Sequence, residues 1–115
     1  MSSKNGRVSE RHRKTREAVA VAKRYVRELR KNKIRVERAY LYGSYAKGTP
    51  HRDSDMDIVV VSRQFRKSRL EDSLRIAKLR WDVDLRISPL AYHPRDFIMD
   101  HIIPNEAMTN GIRIA

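Results

Sequence analysis

Gly43-Ser44-Tyr45-Ala46-Lys47-Gly48-Thr49-Pro50-His51-Arg52-Asp53-Ser54-Asp55-Met56-Asp57 runs directly into Ile58-Val59-Val60-Val61. The β-branched run marks a strand, and Asp55 and Asp57 stand two residues apart at its start. Alternation along a strand sends both carboxylates to one face and Met56, Ile58 and Val60 to the other. Two carboxylates this close repel unless a positive charge sits between them. A hard divalent cation answers that need, and magnesium takes one or two carboxylates together with phosphate oxygens and water. Ahead of them, Gly43 lets a backbone approach a phosphate closely. Ser44 opens a loop or short helix to about Lys47, where free N–H groups and the helix dipole favour anions. Lys47 reaches a phosphate oxygen from the next turn, and Gly48-Thr49-Pro50 breaks the segment. Gly-Ser alone and Asp-x-Asp alone are common; their order and fixed gap make the combination specific.

Working outward, Val36–Tyr42 forms the preceding strand, bounded by Gly43. Only about ten residues separate it from the strand at Asp55–Ser62, too few for a helical crossover, so the two pair antiparallel. Upstream, Ser9 to Asn32 is helical, with Val19, Ala22, Val26 and Leu29 as one apolar stripe and Ser9 or Thr15 as cap. Residues 1–8 form a disordered basic start. Downstream, Gln64–Arg80 forms a second helix that turns Phe65, Leu70, Leu74, Ala77 and Trp81 inward. Asp82–Ser88 alternates Val83, Leu85 and Ile87 against Asp82, Asp84 and Arg86, the period of a strand. A third helix starts near Pro94, carries Phe97, Ile98 and Ile102, and stops at Pro104. A helical turn around Asn105–Asn110 ends at Gly111, and Ile112–Ala115 makes a last short edge strand. The fold class is α+β: a mixed, partly antiparallel sheet flanked by helices, with those helices expected on one side. Residues 1–115 make one domain.

Asp84 supplies a third carboxylate if its strand lies beside the first two. Three carboxylates on neighbouring strands can hold two metal ions about 3.5–4 Å apart. Asp82 shares the parity of Asp84 and is the rival, although an Asp at the start of a strand also ends loops. Tyr45 is placed to stack on a base; Tyr40 and Tyr42 pack on the sheet. His12, His51, His93 and His101 stand at no metal-ligand spacing.

Charge is uneven. Residues 1–52 carry 16 Lys and Arg against 4 Asp and Glu, and residues 53–115 carry 10 of each, so the whole +12 excess precedes the carboxylates. Such a field attracts anions: triphosphate, RNA or an acidic protein face. The same count suits a solvated, Arg- and Lys-rich helix. With no cysteine, disulfides, thiolate metal sites and thiol nucleophiles are excluded. No apolar run approaches the roughly 18 residues of a membrane span. No Walker-type glycine loop and no Ser-His-Asp arrangement is present. The cytoplasm is the simplest location.

Gly43-Ser44, Asp55-x-Asp57 and the isolated Asp84 between aliphatics resemble the DNA polymerase β-like nucleotidyltransferase superfamily. Within it the chain is similar to the minimal nucleotidyltransferases (MNT type), from its first helix to its last strand. It is also similar in size to stand-alone MNT antitoxins, whose partner is a HEPN-domain ribonuclease toxin. The resemblance implies a nucleotidyltransferase fold, two Mg2+ ions, and transfer of AMP from ATP. Gly43 and Ser44, with Lys47, would hold the triphosphate. Asp55 and Asp57 would bind both metals, and Asp84 would complete the set and help activate the acceptor. In the antitoxin branch that acceptor is a tyrosine of the toxin. Many relatives carry arginines in the Gly-Ser loop where Tyr45 and Lys47 stand here. Lysine keeps the charge and loses the bidentate fork. Two rivals remain: nucleotide addition to RNA or a small molecule, with the basic half gripping the acceptor, and a non-catalytic module that acts on its partner by contact.

Overall fold

The run Ile58-Val59-Val60-Val61 is fully buried on both faces. A strand that is apolar throughout needs cover on each side, and this one has it. The computed structural model of the chain describes residues 2–115, with side chains from His12 onward. Helix α1 spans Ser2–Lys31, strand β1 Arg38–Tyr42, helix α2 Ser44–Lys47 and strand β2 Met56–Val61. Helix α3 (Arg69–Ala77) passes into a 3-10 turn at Lys78–Asp82, followed by strand β3 at Ile87–Tyr92. A 3-10 turn at Pro94–Asp96 precedes helix α4 (Ile102–Asn110) and strand β4 (Ile112–Arg113). The sheet order is β3-β2-β1-β4. β1 pairs antiparallel with β2 and β4, as the short connections require, and β2 pairs parallel with β3 through the α3 crossover. The sheet is therefore mixed, as expected.

Two cores sandwich it. On one face Ala18, Ala22, Tyr25 and Leu29 of α1 and Ile76 of α3 pack on Leu41, Met56, Ile58 and Ile87. On the other, Phe97 and Ala107 pack on Tyr40, Val59, Val61 and Tyr92. Helices thus cover both faces, which corrects the one-sided expectation. Each such buried aliphatic or aromatic side chain contributes about 1.5–3 kcal/mol. Tyr25 ties the helices of the first face together, its hydroxyl donating to the Ile76 carbonyl at 2.6 Å.

Several boundaries differ from expectation for local reasons. α1 begins at Ser2, ahead of the expected start at Ser9. Extending an existing helix adds one bond per residue, and Gly6 opposes it by only about 1 kcal/mol. Thr15 lies inside α1, where its hydroxyl donates to the Tyr45 carbonyl instead of capping. α3 starts at Arg69 because Ser68 caps it, accepting the Glu71 N–H at 3.0 Å. Its buried residues are then Asp72, Ser73 and Ile76, while Leu70, Leu74 and Trp81 are exposed. Ser73 is buried because its hydroxyl accepts the Ala91 N–H of β3 at 2.9 Å. Pro104 does not stop a helix. It sits in the first turn of α4, where its missing N–H has no intrahelical acceptor to lose. The expected strand at Asp82–Ser88 is displaced to Ile87–Tyr92. Among the described residues, no helix is long and apolar enough to cross a membrane.

Candidate functional site

Antiparallel pairing brings the end of β1 and the start of β2 to one rim, with Tyr42 opposite Asp57. Gly43 follows at φ 77°, ψ −154°, a conformation that L side chains rarely adopt. A Cβ at Gly43 would also collide with Oδ2 of Asp57. Backbone geometry and the packed carboxylate therefore both demand glycine. α2 begins at the next residue, with the Lys47 N–H bonded to the Gly43 carbonyl at 3.2 Å, and ends at Gly48 in the left-handed conformation. Ser44 is half-buried at the first position of this turn.

The connection to β2 is pinned by Ser54. Its hydroxyl accepts the His51 N–H at 2.7 Å, and its own N–H donates to the His51 carbonyl at 3.1 Å. This loop delivers Asp55, exposed, and Asp57, half-buried. Burial, reinforced by the Asp55 charge, pushes the Asp57 carboxyl above the usual carboxylate range. Burial also raises Tyr42, with Asp57 adding to the effect. Both shifts come first from burial, and a neighbouring carboxylate adds to each. A hard divalent cation would relieve the repulsion between Asp55 and Asp57, and two carboxylates suit one Mg2+ ion with phosphate oxygens and water as further ligands.

The third carboxylate is placed differently. Asp84 lies in the turn ahead of β3, and Arg86 engages both of its oxygens, Nε to Oδ1 at 3.0 Å and a terminal nitrogen to Oδ2 at 2.8 Å. These bonds hold its carboxyl below the usual range. The β3 residue opposite Asp57 is Ser88. Asp82, the rival, is exposed at the end of the 3-10 turn. No group of three His, Cys, Asp or Glu among the described residues is arranged to hold a metal ion together. The structure thus brings Gly43, Ser44, Asp55 and Asp57 to one rim and leaves Asp84 tied to Arg86. Lys47 turns to Glu106 of α4, Nζ to Oε1 at 3.4 Å.

Tyr45, expected to be open to a base, is buried in the α1-side core. Sequence reasoning missed Ser88 as the neighbour of Asp57, and Arg86 as the partner of Asp84. The second had a signal: an aspartate two residues before an arginine is a common local turn former.

The architecture recurs in solved structures. A Sulfolobus solfataricus protein assigned as a nucleotidyltransferase superposes with a TM-score of 0.63 at 16% identity, covering 90% of this chain and 85% of its own. A toxin–antitoxin structure containing AMP-PNP superposes with a TM-score of 0.53 at 26% identity, covering 78% of this chain and 68% of that one. In sequence, a Methanocaldococcus jannaschii protein assigned as a protein adenylyltransferase is 34% identical over 68 residues, 56% of this chain. The chain spans about half the length of that curated relative, 46%. The profile of the nucleotidyltransferase domain matches residues 22–112, from the buried face of α1 through the Gly43–Asp57 rim to β4. The chain belongs to the nucleotidyltransferase domain family.

Proposed function

We propose that the chain transfers AMP from ATP to an acceptor hydroxyl, a tyrosine of a partner HEPN-domain ribonuclease toxin, and so acts as an antitoxin. The observation that carries this reading is the apposition of Gly43 and the Asp57 carboxylate. It sets a backbone able to approach a phosphate directly against the paired carboxylates. Ser44 and the first N–H groups of α2 bind and orient the triphosphate. Asp55 and Asp57 hold magnesium, which when bound screens the phosphate charge and favours departure of pyrophosphate. Asp57, half-buried and set against Gly43, is the rim carboxylate placed to draw the proton from the acceptor hydroxyl. The acceptor oxygen bonds to the α-phosphorus, and the bond to pyrophosphate breaks. Asp84 joins the site only if Arg86 lets it go. The M. jannaschii relative, assigned as a protein adenylyltransferase, and the toxin–antitoxin neighbour with its ATP analogue support the acceptor and the nucleotide.

The test is label transfer. Purified chain, magnesium and α-labelled ATP are incubated with lysate of the native host, with Asp55→Ala as control. A protease-sensitive labelled band, absent with the variant, is expected. A ribonuclease-sensitive label moves the acceptor to RNA. A lysate without Asp55-dependent label refutes transfer.

A further inference from the structure

Asp57 shares its parity with Val59 and Val61 and so lies on the α4 face of the rim. On the α1 face of the same rim is a cleft of about 220 Å3 that the transfer chemistry does not use. Arg13 and Lys14 of α1 form one wall, His51 and Arg52 of the pinned loop another, and Arg86 closes it ahead of β3. Among the residues with described side chains, Glu17 is its one acidic lining residue. Arg13 pairs with Glu17 at 3.1 Å, and Arg86 is committed to Asp84. Lys14 and Arg52 have no carboxylate partner among the described residues. Among the residues with described side chains, the cleft thus carries two positive charges in excess.

We propose that this cleft binds the phosphodiester backbone of a single-stranded nucleic acid. Three features select that ligand. The excess charge calls for an anion. A protein partner is disfavoured, because interfaces centre on buried apolar or aromatic anchors. The exposed large apolar side chains (Leu70, Leu74, Trp81, Leu85, Ile98, Met99 and Ile102) all lie outside this cleft. The spread of charge then favours a polymer. Lys14 on α1 and Arg52 on the pinned loop lie on separate walls of the cleft, which suits successive phosphates of one strand over a single phosphate. A volume of this size takes one strand and not a duplex. The proposal goes beyond AMP transfer and does not require it.

The test is fluorescence anisotropy with a labelled single strand of about 12 nucleotides, as RNA and as DNA, against a labelled polyglutamate peptide, over a salt series. Each phosphate contact in a single strand adds about −0.7 to the slope of log K against log salt. Lys14→Ala with Arg52→Ala should flatten that slope by about 1.4. The control pair Lys23→Ala with Arg27→Ala removes the same charge from the exposed face of α1 and should leave the slope unchanged. Asp57→Asn should retain binding, which separates this proposal from the transfer reading. Tighter RNA than DNA would point to contacts with the 2′-hydroxyl, and equal affinity to backbone contacts alone; both support the site. Equal losses in the two double variants would mean diffuse attraction to a cationic surface and overturn it. So would tighter binding of polyglutamate, or no salt-dependent binding of either strand.

Discussion

Gly43→Ala tests the centre of the site, because two separable effects meet at that residue. The first is backbone strain. At φ 77° and ψ −154° a side chain costs about 1–3 kcal/mol. Unfolding entropy near the midpoint is about 2.1 cal/mol/K per residue, or about 240 cal/mol/K for this chain, so each kcal/mol is worth about 4 °C in Tm. The variant should therefore melt about 4–12 °C below wild type. The second effect is local. The new methyl group occupies the place of the Asp57 carboxylate oxygen, and the flexible carboxylate must swing aside. Cation binding then fails although the fold survives.

Magnesium at about ten times the wild-type Kd stabilises by RT ln 11, about 1.4 kcal/mol, and so raises Tm by about 6 °C. That increment should vanish in Gly43→Ala. Gly48→Ala is the control. Its φ of 74° and ψ of 20° impose a left-handed cost of about 1–2 kcal/mol, and it should keep the magnesium increment. Melts of the three proteins by circular dichroism, with and without magnesium, decide the matter. A full increment in Gly43→Ala would refute the reasoning, since the apposed carboxylate would then not hold the ion.

Asp57→Asn should abolish transfer and, in metal-free buffer at pH 7, melt higher than wild type. Its folded pKa is raised, so ionising it costs stability as pH climbs from the ordinary carboxylate value through the raised one; the advantage should close below that window, as melts against pH would show. Arg86→Ala should lose about 0.5–1 kcal/mol, or about 2–4 °C, a modest figure because the arginine is half-exposed. Asp84 is lowered by this partner, so the contribution is present above the ordinary carboxylate value and lost as pH falls through the lowered one; a deficit that persists in strong acid would deny the pair. Tyr25→Phe should cost about 0.5–1.5 kcal/mol by removing the hydroxyl's bond to the Ile76 carbonyl, which keeps the backbone N–H at the Lys78 C-cap of α3, measured as a lower midpoint in urea at unchanged slope.

The rim was legible in the sequence because its logic is local. Strand parity put Asp55 and Asp57 on one face, and a connection too short for a crossover forced the antiparallel turn that returns Asp57 to Tyr42. The apolar run Ile58–Val61 carried a further signal that was underused, since continuous apolarity implies cover on both faces. What escaped depended on competition between patterns. Asp82–Ser88 alternates like a strand, but Asp84 accepts the Arg86 N–H at 2.9 Å and the Arg86 side chain as well. Those bonds settle the segment as a turn and postpone the ladder to Ile87. Leu70 and Leu74 have helical spacing, but Ser68 starts the helix in a phase that turns Ser73 to the sheet.

The displaced strand also changes what the site can hold by itself. The β3 residue beside Asp57 is Ser88, a neutral oxygen, and Asp84 stays in the turn ahead of the strand. Two carboxylates leave most of a magnesium ion's positions to water and phosphate. On the proposed function, the protein alone would be a weak metal site, and a triphosphate seated at Gly43 and Ser44 would supply the missing oxygens. Binding of the two would then be coupled, each raising the affinity of the other by the same factor. A rim built this way would gather its full set of ligands only when nucleotide is present, because Asp84 is held by Arg86.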